Sequence, residues 1–289
     1  MEEQKEIIER PIEKIIYSAE ITNGYVFRQI FELYDKLVIE GIPVYFKETG
    51  ITIRTGTSSA KDQRKLISDI EIDTDDIIEY YLDEDLASIS GSENSNACYV
   101  EELNINTIKS VFKSISKSNS VRIYKTTVSP DIMIEIKGLT TEHSRLTSGK
   151  YHKIHYDISS YQDDAPHPNL KIEINQFCTT MKGMTRGDAE YTSFKVFPEG
   201  LSIEGRNGTG SITKDMCWGK TPQIYEGVDE EDFFETKVNS FAIKALTKIS
   251  GMSNYSIIKI FSVRNGLLRL NHKIGDFGEH NIYLIDNSW

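Results

Sequence analysis

The sequence predicts an α+β fold made of two similar halves, and three observations carry that reading. Most of the chain alternates apolar and polar residues with a period of two, as strands do. Four short segments show helical spacing instead. Pieces of the first half also recur in the second. Residues 105–119 read INTIKSVFKSISKSN and residues 240–254 read SFAIKALTKISGMSN. At an offset of 135, Asn104, Ile108, Lys109, Lys113, Ser118, Asn119 and Ile123 match Asn239, Ile243, Lys244, Lys248, Ser253, Asn254 and Ile258. Upstream, VYFKETGITI (44–53) echoes TSFKVFPEGLSI (192–203) at an offset near 150.

In chain order, the first helix is expected over 23–38, NGYVFRQIFELYDKLV. The second is expected over 105–118, where Ile105, Ile108, Phe112 and Ile115 share one face and Lys109, Lys113 and Lys117 another. Strands 120–128 and 131–138 read as a hairpin joined at Ser129-Pro130. Residues 150–158, 170–177, 191–198, 200–205, 255–263, 267–274 and 281–285 read as further strands. Between them lie a third helix over 175–187 and a fourth over 240–252, whose apolar face holds Phe241, Leu246 and Ile249. Asn106 and Ser240 are candidate N-caps. Pro43, Gly50, Pro198-Glu199-Gly200 and Gly266 punctuate the joins.

Residues 83–97, rich in Ser, Asn and acids, predict a flexible loop that lengthens the first half. SSYQDDAPHPN (159–169) has the composition of a linker. The domain expectation is an N-terminal extension over 1–14, a first domain over 15–157, a connector over 158–169 and a second domain over 170–289.

At 289 residues, 38% of them hydrophobic, the chain can bury one large core or two smaller ones. Its three cysteines, Cys98, Cys178 and Cys217, form no CxxC spacing, which argues against a disulfide framework or a zinc site. No apolar run approaches the ~18 residues of a membrane span, and MEEQKEIIERPIEK lacks an apolar signal core. The expectation is a soluble intracellular protein.

The net charge of −11 is unevenly placed. The four helical segments hold Arg28, Lys36, Lys109, Lys113, Lys117, Lys182, Arg186, Lys244 and Lys248 against only Glu32 and Asp35. That leaves 24 of the 33 basic and 42 of the 44 acidic residues for the rest of the chain. A lysine stripe on one helix is an ordinary solvated face. Solvated helices, however, usually mix signs, because oppositely charged residues four apart stabilise them. Three acid-free helices in an acidic chain suit a surface that attracts a polyanion while the remainder repels it. Duplex DNA carries one charge per ~1.7 Å of axis, and lysine contacts to phosphate need no base sequence.

Other motifs carry less. His152 and His155, three apart on a strand, face opposite sides, which is poor metal geometry. GRNGTG (205–210) lacks the Lys-Ser/Thr ending and following helix of a P-loop. DTDDIIEYYLDED (73–85) lacks EF-hand spacing and reads as a solvated acidic face. No cofactor or metal is implied.

The whole arrangement resembles the PCNA-type DNA sliding clamps. The most specific match is HKIGDFGEHNIYLI (272–285), where Lys273, Ile274, Asp276, Gly278, Tyr283 and Leu284 stand as in the closing segment of that family. GITIRTGTSSAKD (50–62) resembles the first-domain strand and its following loop, and LNINTIKSVFKSIS (103–116) the first-domain lysine helix. The resemblance implies two βαβββ-βαβββ domains per chain, assembling into a ring with helices lining a hole around duplex DNA. It implies no catalytic site. It implies a processivity factor for replication and repair, loaded by a clamp loader, tethering polymerases through short peptide motifs, and forming a homotrimer. The nine helix cations above would face DNA. Ile158, Tyr161, Tyr283, Leu284 and Ile285 would bind partner peptides, with core packing as the other reading for Ile158 and Leu284. Gly56, Leu267 and Asp286 depart from the family pattern around that pocket. Ring closure would pair edge strands near 150–157 and 210–217. The location implied is the nucleus, or a cytoplasmic replication site for a large DNA virus.

Three other readings stay open at this stage. One is a subunit of a heteromeric checkpoint-type clamp. Another is a metal-dependent DNA-processing enzyme using Asp75 and Asp76. The third is a scaffold unrelated to DNA.

Overall fold

The computed structural model describes residues 13–35, 37, 41–56, 66–85, 98–147, 170–186, 190–197, 200–208, 210–217, 234–253, 257–263 and 267–285. Lys36, the expected connector with Ile158 and Tyr161, His152, His155, the strand expected over 150–158, Asp286 and most of the 83–97 segment lie outside the described residues.

The first half runs β1 (Ile15–Ile21), α1 (Gly24–Tyr34), β2 (Gly41–Lys47), β3 (Gly50–Gly56), β4 (Leu66–Asp73), β5 (Glu79–Leu82), β6 (Cys98–Asn104), α2 (Ile105–Phe112), β7 (Ser120–Thr126), β8 (Asp131–Lys137) and β9 (Thr141–Thr147). The second runs β10 (Leu170–Glu173), α3 (Ile174–Arg186), β11 (Tyr191–Phe197), β12 (Gly200–Asn207), β13 (Gly210–Cys217), β14 (Phe234–Asn239), α4 (Ser240–Leu246), β15 (Ile257–Val263), β16 (Leu267–Ile274) and β17 (Gly278–Ile285). Apart from β5, the described elements of each half follow a βαβββ-βαβββ order.

The ladders repeat as well as the elements. In the first half β1 pairs β7, β7 pairs β8, β8 pairs β9, β2 pairs β3 and β6, and β3 pairs β4. In the second, β10 pairs β15, β15 pairs β16, β16 pairs β17, β11 pairs β12 and β14, and β12 pairs β13. The alternating pattern of β2, with Ile42, Val44 and Phe46 buried between half-exposed neighbours, is the expected signature of a sheet with one face on a core.

The helices cover the inner faces of these sheets. Val26, Phe27, Ile30, Phe31, Leu33 and Tyr34 form the buried side of α1, and Ile174, Phe177, Cys178, Met181 and Met184 that of α3. The helices pair as α1 with α2 and α3 with α4. Between α1 and α2 the Phe112 ring sits 5.6 Å from Phe27 and 5.2 Å from Phe31. Gly24 opens α1 because a Cβ there would lie 2.7 Å from the Val121 side chain. Gly50 turns the β2–β3 hairpin at φ +133°, a conformation that L side chains rarely adopt.

Three helices end earlier than their periodicity suggests. α2 stops at Phe112, not at residue 118, because the Asn119 side chain then competes with the helical ladder for the Ser116 amide. Asn119 Oδ1 accepts from the Ser116 backbone N–H at 2.8 Å and from its hydroxyl. Asn104, not Asn106, caps this helix, accepting from the Asn106 and Thr107 amides at 3.1 Å each. α4 stops at Leu246 and gives way to a 3₁₀ turn over 249–251. α1 ends at Tyr34. The strand expected over 170–177 is β10 for four residues and α3 thereafter.

The two halves are joined by one ladder. β17, the last strand of the second half, pairs β4 of the first and makes an eight-stranded sheet in the order β10-β15-β16-β17-β4-β3-β2-β6. A buried polar chain crosses the core side of this seam. His272 Nδ1 lies 3.0 Å from the Lys273 carbonyl oxygen, so Nδ1 carries the proton and donates. His272 Nε2 therefore accepts from His280 Nδ1–H at 2.9 Å, and His280 Nε2 accepts from the Ser68 hydroxyl at 2.7 Å. The Tyr34 hydroxyl, 3.3 Å from Ser68, donates to Ile53 O. Every proton has an acceptor with both imidazoles neutral. Burial holds His272 down to about 4 and His280 well below the usual histidine range, the latter also through repulsion by His272.

Candidate nucleic-acid interface

The helix cations fall into two groups. In the first half two of them, Arg28 and Lys109, are paired with acids. The Arg28 guanidinium pairs with Glu32 at 2.8 Å, one turn along α1, and donates to the Lys113 carbonyl at 2.9 Å, which pins α1 to the end of α2. Lys109 Nζ pairs with Asp35 at 2.7 Å. Lys113 caps α2, and Lys117 lies beyond its end with its ammonium 5.8 Å from the Tyr25 ring centre. Lys109, Lys113 and Lys117 are exposed. A groove of about 410 Å³ opens between α1 and α2, with Phe31 and Phe112 at its base and Arg28, Lys109 and Lys113 among its lining.

In the second half the cations are unopposed. Lys182 and Arg186 stand four apart on α3, both exposed. Lys244 is exposed on α4, and Lys248, half-buried, follows the helix. None of these four forms an ion pair among the described residues. The α3 and α4 segments contain no acid that could supply one locally.

The candidate peptide residues divide by strand alternation. Leu284 faces the main core and is fully buried, so its role in this fold is packing. Its neighbours Tyr283 and Ile285 point to the opposite face, where Tyr283 clusters with Ile67 and Leu267. Beside them Arg269 lies over the Phe261 ring at 4.1 Å, and Arg54 pairs with buried Asp69 at 2.7 Å. Burial beside Asp69 pushes the Tyr283 phenol up. Sequence reasoning missed Ile67, Arg269 and Phe261. The signal was present: Leu66-Ile67, Leu267-Leu268 and Tyr283-Leu284-Ile285 are consecutive apolar residues on strands, and a strand with apolar residues on both faces is covered on both.

Asp75 and Asp76 belong to a short exposed 3₁₀ turn over Thr74–Asp76. Among the described residues no group of three or more His, Cys, Asp or Glu side chains is placed to hold a metal ion.

No family model matches the chain, and no curated protein matches it by sequence. Its fold is nevertheless that of the PCNA-type clamps. One solved structure, a PCNA2–PCNA3 complex from Sulfolobus tokodaii, superposes with a TM-score of 0.69 at 15% identity, over 93% of this chain and 98% of that one. Another, proliferating cellular nuclear antigen from Entamoeba histolytica, does so with a TM-score of 0.72 at 10% identity, over 94% and 99%. The likeness therefore spans nearly the whole chain in both directions.

Proposed function

We propose that this protein is a DNA sliding clamp, a processivity factor that encircles duplex DNA and tethers polymerases and repair enzymes without chemistry of its own. The observation that carries the reading is the concentration of cations on the helix pairs of an otherwise acidic chain with a clamp fold. Such a surface holds phosphates without reading sequence, and the acidic exterior repels DNA from everywhere else.

The sheet edges support a ring. β4 and β17 are joined within the chain, while their equivalents, β13 and β9, end their own sheets. Unpaired edges invite pairing. The edge described in the first half is β9, Thr141–Thr147, earlier in the chain than 150–157. Three copies, loading by a clamp loader, a peptide site at Tyr283 and Ile285, and a nuclear or viral cytoplasmic location complete the proposal.

Light scattering at micromolar protein tests it. A mass near three times 32.9 kDa is expected, together with loss of polymerase stimulation in Lys109→Glu/Lys244→Glu. A monomer at every concentration would instead favour the heteromeric reading, which the complex from Sulfolobus tokodaii brings to mind.

A further inference from the structure

The internal repeat assigns a register to the contact between copies, and the residues at that register are inverted with respect to the seam inside the chain. This inference rests on the ring reading. The hairpin β8–β9 begins with Asp131 opposite Thr147, and its equivalent β16–β17 with Leu267 opposite Ile285. Counting inward, Leu146 corresponds to Leu284 and Ser144 to Ile282. Leu146 and Leu284 are both buried, which fixes the faces. The hairpins β2–β3 and β11–β12 close identically, at Lys47–Gly50 and Phe197–Gly200. Gly50 pairs Asp73 and Gly200 pairs Cys217, so Ser68 corresponds to Ile212.

Within the chain, Ile282 of β17 stands opposite Ser68 of β4, and Leu284 opposite Leu66. Carried to a second copy, the same register sets Ser144 of β9 opposite Ile212 of β13, and Leu146 opposite Gly210. Each seam thus joins one Ile to one Ser, with the large and small partners exchanged between strands. Ile212 is 41% exposed on an edge strand, an apolar side chain with a surface still to cover.

We propose that Ser144 and Ile212 fix both the register and the identity of the contact between copies of this chain. The exchange makes the two seams incompatible. β9 against β4 would face Ser144 to Ser68 and leave a void. β17 against β13 would face Ile282 to Ile212 and crowd it. A strand slipped by two residues loses the match as well. Of this chain's two equivalent edges, the one that fits β13 is therefore β9, and the occupant we assign to it is the β9 edge of a second, identical copy.

The test is directed cross-linking of the full chain. Directly opposite strand residues hold their Cβ atoms within disulfide reach, and diagonal neighbours do not. Ser144→Cys/Ile212→Cys is expected to give a covalent oligomer on mild oxidation. Glu142→Cys/Ile212→Cys, two residues out of register, should give about tenfold less. The parent chain, with its native cysteines, sets the baseline. In a cysteine-free arm, Ile212→Ser should weaken association about tenfold or more, and Ser144→Ile/Ile212→Ser should restore it. An oligomer by light scattering that cross-links equally in the shifted pair overturns the register and leaves the ring standing. An oligomer unaffected by Ile212→Ser overturns the role of that residue. A monomer at all concentrations overturns this inference together with the homomeric ring, and leaves the heteromeric reading.

Discussion

Lys109 and Lys244 occupy the same place in the repeat and live in different electrostatic surroundings. Lys109 is held by Asp35, and nearby Arg28 by Glu32, while Lys244, Lys182 and Arg186 form no ion pair among the described residues. Packing differs in the opposite sense. Phe112 seals the first helix pair against two other aromatic rings, whereas its equivalent in the second half is Thr247, a half-buried residue whose hydroxyl bonds the Lys244 carbonyl at 2.8 Å. The first pair is tightly stapled and partly neutralised. The second presents bare charge. One fold unit, used twice, has divided the work of rigidity and attraction between its copies.

The largest effect should come from breaking the aromatic staple. Phe112→Ala is expected to cost about 3–5 kcal/mol, read as a lower urea midpoint, and Thr247→Ala no more than about 1 kcal/mol. Equal costs would erase the distinction in packing.

Next comes the seam where the halves meet. Both His272 and His280 have folded pKa values below their unfolded ones, so the unfolded state binds protons first as the pH drops. The stability they contribute is present above pH 6.5 and is lost as the pH falls below it, for His272 between 6.5 and about 4. For His272 alone this amounts to about 3 kcal/mol. Replacing both by Gln should flatten the urea midpoint against pH across that window.

Smaller effects test the charges. Lys244→Ala should weaken DNA binding and reduce the magnitude of the salt slope by about 0.9. Asp35→Asn, which releases Lys109, should instead strengthen binding and steepen the slope by less than that. The second half has no acid on its helices whose removal would do the same, and a strengthening of the same size from an acid elsewhere in the second half would dissolve the comparison.

Much of this was legible in the residues. The offsets of 135 and 150 survive as matching ladders, since a backbone that repeats must repeat its apolar spacing. Past α2 the match shifts. The ladders align Ile123 with Ile260 rather than Ile258, because the segment between helix and strand is longer in the second half. The early ends of α2 and α4 were also encoded, in Asn119, whose side chain accepts from the Ser116 amide, and in Thr247, whose hydroxyl donates to the Lys244 carbonyl. Periodicity runs through them without registering that their side chains bond to nearby backbone.

By itself, then, the sequence determined the local elements, the duplication and the segregation of charge, because each rests on spacing within a few residues or on similarity at a fixed offset. Only the tertiary structure decided that Asp35 meets Lys109 across 74 positions, that Ser68 meets His280 across 212, and that Leu284 faces the core while Tyr283 faces away. Alternation along a strand says that neighbours point to opposite sides. Which side is the core depends on what the sheet packs against, and that is settled by chain closure over long distances rather than by local pattern.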